Sequence, residues 1–211
     1  MLQAPTAFAS PDLEPAPLLL PPDLRLTPEQ FERVCHANPD AVLELAADGT
    51  LIAMTPTGGE TSSRNSAIIY QLSAFCRRRP HWRIFDSSGG FRLPDGSVLS
   101  PDAALVREDR WQALSADERR GFPPLCPDLV VELASPSDEG PRGESALRRK
   151  MKLYQANGTR LCWLLLPHQR AAEILRVSQP MSVERIDNAH RLEGSELAEG
   201  LELDLAEIWT P

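Results

Sequence analysis

The sequence contains no Cys-x-x-Cys pair. Cys35, Cys76, Cys126 and Cys162 stand far apart, which argues against a zinc site and reads as free thiols in a cytoplasmic protein. Long apolar runs are also missing. The longest, such as Leu161 to Pro167, are too short to span a bilayer, so no membrane segment is expected. The N-terminus has neither a basic start nor a long apolar stretch, and no signal peptide is expected. Positive charge is scarce: 22 Lys and Arg face 30 Asp and Glu, for a net charge of -8. A protein that holds nucleic acid mainly by neutralising phosphates is usually basic. Any such contact here has to come from a local patch or through a bound metal.

What is present is ordinary for a globular chain. Its 211 residues are 42% hydrophobic and 25% charged, enough for one sizeable core. Residues 1–23 are rich in Pro and Ala and read as a loosely attached arm. Residues 24–211 read as one domain. There is no internal repeat.

Thr27-Pro-Glu-Gln30 is a capping box that opens a short helix, with Phe31, Val34 and Cys35 as its apolar stripe. A hairpin follows, Val42 to Ala46 and Leu51 to Met54 around Asp48-Gly49. Within it Glu44 reads first as a solvent-facing strand residue, with a functional role as the alternative. A helix is predicted from about Ser62 to Arg79, with Ile68, Ile69, Leu72, Phe75 and Cys76 along one side. Glu60 precedes it, where the partly positive helix start favours a carboxylate. That common structural reading stands beside a functional one. Trp111 to Arg120 reads as a surface helix. Later elements are a helix from about Ser145 to Asn157, stopped by Gly158, and strands at 161–166, 172–177 and 182–186.

Two apolar strands carry acids. Pro127-Asp-Leu-Val-Val-Glu-Leu-Ala-Ser-Pro136 has the residues of a buried strand with Glu132 in its middle, and Ser100-Pro-Asp-Ala-Ala-Leu-Val106 carries Asp102 at its start. A carboxylate in a dry strand is costly unless it is paired or holds a cation, and two such groups suit a hard divalent ion. By alternation Asp102 shares a face with Ala104 and Val106, and Glu132 with Val130 and Ala134. A lysine at position 134 would suit water activation, but alanine stands there. The next helix offers a substitute. Its stripe is Leu147, Met151 and Tyr154; Lys150 lies roughly 60° from Leu147 and Lys152 roughly 140° away. Lys150 therefore points toward the sheet, or snorkels to water. Lys152, Arg148 and Arg149 point to solvent.

Pro101-Asp102, Glu132-Leu-Ala134 and the run Val130-Val-Glu-Leu-Ala-Ser-Pro-Ser-Asp138 resemble the PD-(D/E)XK nuclease superfamily. More closely, the chain is similar to its Uma-two-type restriction endonuclease branch. Asp48-Gly49, Met54-Thr-Pro-Thr-Gly-Gly59, Ser87-Ser-Gly-Gly-Phe91, Lys150-Met-Lys-Leu-Tyr154 and Asn157-Gly158 ahead of Trp163 extend the likeness from Thr27 to Trp209. The resemblance implies an α/β (α+β) fold, a restriction-endonuclease-like mixed sheet flanked by helices, with an N-terminal helix and hairpin. It implies Mg²⁺ or Mn²⁺ on Asp102 and Glu132, Lys150 in place of the lysine missing at 134, DNA as substrate and a homodimer. The expected activity is metal-dependent hydrolysis of DNA phosphodiesters. The alternatives are a catalytically weak or inactive nuclease-fold module that binds or assembles, and an enzyme acting on small nucleotides. Arg77, Arg78, Arg79 and Arg83, or Arg142, Arg148 and Arg149, are candidate phosphate contacts.

Overall fold

The computed structural model describes residues 21, 23–54, 56–179 and 182–210. The expected arm of residues 1–23 lies outside them except for Pro21 and Asp23. In chain order the elements are α1 (Pro28–Ala37), β1 (Val42–Leu45), β2 (Leu51–Met54), α2 (Gly59–Arg78), β3 (Trp82–Asp86), β4 (Phe91–Arg92), β5 (Val98–Leu99) and β6 (Ala103–Arg107). Then come α3 (Glu108–Gln112), α4 (Ala116–Arg120), β7 (Leu129–Leu133), α5 (Pro141–Ala156), β8 (Leu161–Leu166), β9 (Ala171–Arg176), β10 (Val183–Asp187), β11 (Arg191–Glu193), β12 (Glu202–Asp204) and α6 (Ala206–Trp209).

The main sheet has six strands in the order β10-β9-β8-β7-β6-β3. β7 and β8 are parallel, while the other neighbours pair antiparallel. The parallel pair needs a crossover, and α5 supplies it. β7 and β8 lie at the centre and are buried along their whole length, which is why both read as continuous apolar runs rather than alternating ones.

Helices cover both faces. Ile68, Leu72 and Phe75 of α2 pack with Ala103, Leu105, Leu129, Val131 and Trp163. Met151 and Tyr154 of α5 pack on the other face with Ala104, Val106, Val130, Ala134 and Leu164. Fully burying a Leu, Ile, Phe or Met side chain is worth roughly 1.5–3 kcal/mol, so these stripes, more than helix propensity, fix both helices. A second sheet, β2-β1-β5-β4, packs Leu43, Leu45 and Val98 against Phe31 of α1. The fold is thus a mixed sheet flanked by helices, as the sequence predicts.

Several boundaries differ from the sequence reading, each for a local reason. The segment 111–120 is two short helices, because Ser115 takes an extended conformation and forms a capping box with Glu118. α5 begins at Pro141, where proline suits the first helical position and Gly140, at φ 95°, turns the chain into it. The β11–β12 hairpin was not predicted. It closes the α2 face with Leu192, Leu201 and Leu203, beside Ile208 and Trp209 of α6.

Candidate active site

β6 and β7 pair with Ala103 opposite Val131 and Ala104 opposite Val130. One further step in that register sets Asp102 opposite Glu132. Asp102 stands just before β6, where the ladder ends, and its carboxylate takes over the pairing. Oδ2 accepts the backbone N–H of Leu133 at 2.7 Å, and Oδ1 accepts Asn65 Nδ2 of α2 at 3.1 Å.

α5 completes the cluster. The Lys150 ammonium lies 2.9 Å from Glu132 Oε1 and 2.8 Å from Glu44 Oε1, and donates to the Ser100 carbonyl at 3.2 Å. Glu44 Oε1 also accepts the Ser100 N–H at 2.8 Å. The ammonium stands over the buried ring of Tyr154, 5.9 Å from its centre. One lysine therefore joins β1 of the small sheet, the Ser100 bend and β7 of the main sheet. Lys152 is exposed.

The solvent-facing reading of Glu44 is corrected by this geometry. Glu44 is 4% exposed, because the face of β1 that alternation assigns to it turns toward α5 and the Ser100 bend. Glu60 is different: its side chain is 74% exposed and pairs with Arg64 at 3.3 Å, as a helix-start acid does. Arg148 does not point to water. It grips the buried Glu173 through two nitrogens and reaches Glu144 at 3.0 Å. Arg83 is tied to Glu108. Arg77, Arg78, Arg79, Arg142 and Arg149 are exposed.

Burial dominates the electrostatics. It pushes the Glu132 carboxyl up to about 8, with Lys150 pulling down and Asp102 and Glu44 pushing up. Burial also raises Asp102, against the opposing pull of the Leu133 N–H, Lys150 and Asn65. For Lys150 burial works against the charge, but Glu132 and Glu44 outweigh it and hold the ammonium above its ordinary value. Two raised carboxyls around one cation are what a site short of positive charge looks like.

The donors suit a magnesium-like ion. Among the described residues Glu132 Oε1 meets only the Lys150 ammonium, at 2.9 Å, which leaves this buried carboxylate oxygen a lone pair for an ion. Among the described residues no three acidic, histidine or cysteine side chains are arranged to hold an ion. Mg²⁺ does not require three, since it commonly takes one or two carboxylates and fills its other positions with water and phosphate.

The profile of the Uma2 family, described as putative restriction endonuclease, matches residues 28–206. The chain belongs to the Uma2 family. Among solved structures it is similar to a protein described as a putative nuclease belonging to DUF820 from Anabaena variabilis ATCC 29413. The TM-score is 0.70 at 17% identity, over 88% of this chain and 98% of that one. At that identity the likeness shows a shared fold. No curated protein matches the chain. Uma2 membership supports a nuclease-like function, and the cluster at the mouth of β6 and β7 is the place to look for it.

Asn65 and Ser100 were not singled out in the sequence. Asn65 did leave a signal: positions 61, 65, 68, 72 and 75 form one helical stripe, and its first two members are polar.

Proposed function

We propose that the chain is a divalent-metal-dependent endonuclease that hydrolyses DNA phosphodiesters at Asp102, Glu132 and Lys150. The observation that carries this reading is the Lys150 ammonium, delivered by α5 to within 2.9 Å of the buried Glu132 carboxylate, across the strand pair from Asp102. Asp102 and Glu132 would hold Mg²⁺ or Mn²⁺. Such an ion polarises a phosphoryl oxygen and makes a bound water a better nucleophile.

The chain's own residues do the rest. The Leu133 N–H and Asn65 hold Asp102 in one orientation. Glu44 and Ser100 hold the Lys150 head beside Glu132, where an ammonium stabilises charge growing on a phosphate oxygen or positions a water. Because a duplex has two strands, a homodimer with two sites is the assembly that cuts both. The reading takes residues 24–211 as one catalytic domain of a cytoplasmic enzyme; among the described residues no helix is long and apolar enough to cross a membrane.

The test is cleavage of supercoiled plasmid in Mg²⁺ or Mn²⁺. Lys150→Ala is expected to lower turnover by about 10²-fold or more and to leave metal binding in place. Lys152→Ala is expected to cleave like the parent. Equal loss or equal activity in the two variants contradicts the role given to Lys150.

Two observations favour a second reading, a nuclease-fold module that binds without cutting. The Lys150 charge is already matched by two carboxylates, and position 134 is alanine. Metal and DNA binding without cleavage in either metal would select it.

A further inference from the structure

Two polar side chains on the inward face of α2 are unaccounted for by the fold. Thr61 is 2% exposed, and its Oγ1 meets no hydrogen-bond partner among the described residues. Asn65 spends its amide nitrogen on Asp102 Oδ1 at 3.1 Å, while its own Oδ1 is buried and has no partner among the described residues. An orphaned buried oxygen gives up its hydrogen bond to water without a replacement, and a native structure that keeps one points to a water or an ion there. Thr61 and Asn65 are four residues apart and so neighbours on one helix face. Toward the C-terminus that face becomes the apolar stripe of Ile68, Leu72 and Phe75. At Asn65 it meets the Asp102 carboxylate.

The type of orphan decides what belongs beside it. Asn65 Oδ1 accepts and cannot donate. A phosphate oxygen, which also accepts, is repelled by it; a water on a cation has protons to give. Mg²⁺ dehydrates reluctantly and usually keeps several waters.

We propose that Asn65 and Thr61 are positioning residues for a hydrated divalent cation at Asp102. The hydration shell donates to Asn65 Oδ1 and Thr61 Oγ1, and the Asn65 amide nitrogen fixes the carboxylate that faces the ion. This rests on the metal-dependent reading above.

The experiment is calorimetric titration of Mn²⁺ into the parent, Thr61→Val and Asn65→Leu, with a melting curve of each protein free of metal. Groups that orient a metal site from outside its ligands typically contribute 10–100-fold in affinity. Thr61→Val replaces an unpartnered hydroxyl by a methyl of the same shape. Its metal-free melting temperature is expected to hold or rise, while Mn²⁺ affinity falls by about tenfold or more. Asn65→Leu is expected to lose more affinity, because it also frees Asp102. Unchanged Mn²⁺ affinity in both variants overturns the inference, whatever their melting temperatures. A parent that binds no Mn²⁺ overturns the metal-dependent reading, and this inference with it.

Discussion

Lys150→Met isolates what the lysine does in the fold from what it does in any reaction. The change keeps the length and apolar stem and removes the ammonium. Two close ion pairs at 2.8 and 2.9 Å and a donor to Ser100 at 3.2 Å disappear together. They leave Glu44 and Glu132, whose side chains are only 6% and 5% exposed. Breaking a buried pair by removing one partner costs about 3–5 kcal/mol when the group left behind is charged, which for Glu132 requires a pH above about 8. For a chain of this size that lowers the melting temperature by roughly 6–20 °C. Urea unfolding followed by tryptophan fluorescence measures the loss directly, with exposed Lys152→Met as the control at less than about 0.5 kcal/mol.

The pH dependence of that loss is a second readout of the same variant. Glu132 titrates near 8 in the folded parent. A carboxyl raised on folding costs stability as pH rises from its unfolded pKa through its folded one, so this cost in the parent stops growing just above pH 8. Without the ammonium the Glu132 carboxyl is pushed higher still, and the variant goes on losing. The gap between parent and variant is therefore flat below about pH 7 and widens by up to about 1.4 kcal/mol per unit above pH 8. Glu132→Gln with Lys150→Met removes both charges and is expected to recover much of the loss, giving a clear coupling energy in a double-mutant cycle. A Lys150→Met protein within 0.5 kcal/mol of the parent at pH 9 would refute the buried-pair reasoning.

Three further outcomes are expected. Mg²⁺ or Mn²⁺ raises the melting temperature of the parent by binding only the native state, and Asp102→Asn or Glu132→Gln each abolishes the rise; equal rises in scanning calorimetry would remove both residues from the metal site. Gly143→Ala destabilises by about 1–3 kcal/mol, because an added Cβ meets the Asp138 backbone at 2.4 Å, whereas Gly59→Ala, with no atom of the described residues within 4 Å, is near neutral in the same urea assay. The Cys76 thiol, raised by burial to about 11, is about 10⁻³ thiolate at pH 8, so a thiol reagent labels it slowly in the native protein and rapidly in urea; fast native labelling would contradict its burial.

The parts of the fold that were legible in the sequence are those set by periodicity or local capping. The apolar run Leu161 to Leu166 has the bounds of β8, and the α2 and α5 stripes stand in the sequence at helical spacing. The Thr27–Gln30 capping box is formed as predicted. What was not legible depends on contacts between distant segments. Glu44 alternates in β1 like any half-exposed strand residue, and only the docking of α5 and the Ser100 bend against that strand buries it. Arg148 lies outside the apolar arc of α5, and the arc cannot show that Glu173 of β9 waits at its edge. The hairpin β11–β12 is short, and its strands alternate exposed and buried with one apolar residue each, too weak a pattern to register alone.

The same distinction explains how a helix lysine closes the cluster while position 134 of the strand is alanine. Ala134 is buried on the α5 side of the sheet with Val130, Met151 and Tyr154, the side that Glu132 faces. A side chain longer than a methyl at 134 would compete with α5 for that space. With alanine there the helix seats closely, and its own lysine, one residue before the buried Met151, arrives beside Glu132. The register of α5 then becomes part of the site. Gly143 packs against the Asp138 backbone, Leu147, Met151 and Tyr154 set the rotation, and Lys150 follows from both. A lysine on a strand needs only the strand pairing to be correct. Here the charge balance around Glu132 depends on a helix being docked, so whatever loosens α5 also separates Lys150 from Glu44 and Glu132.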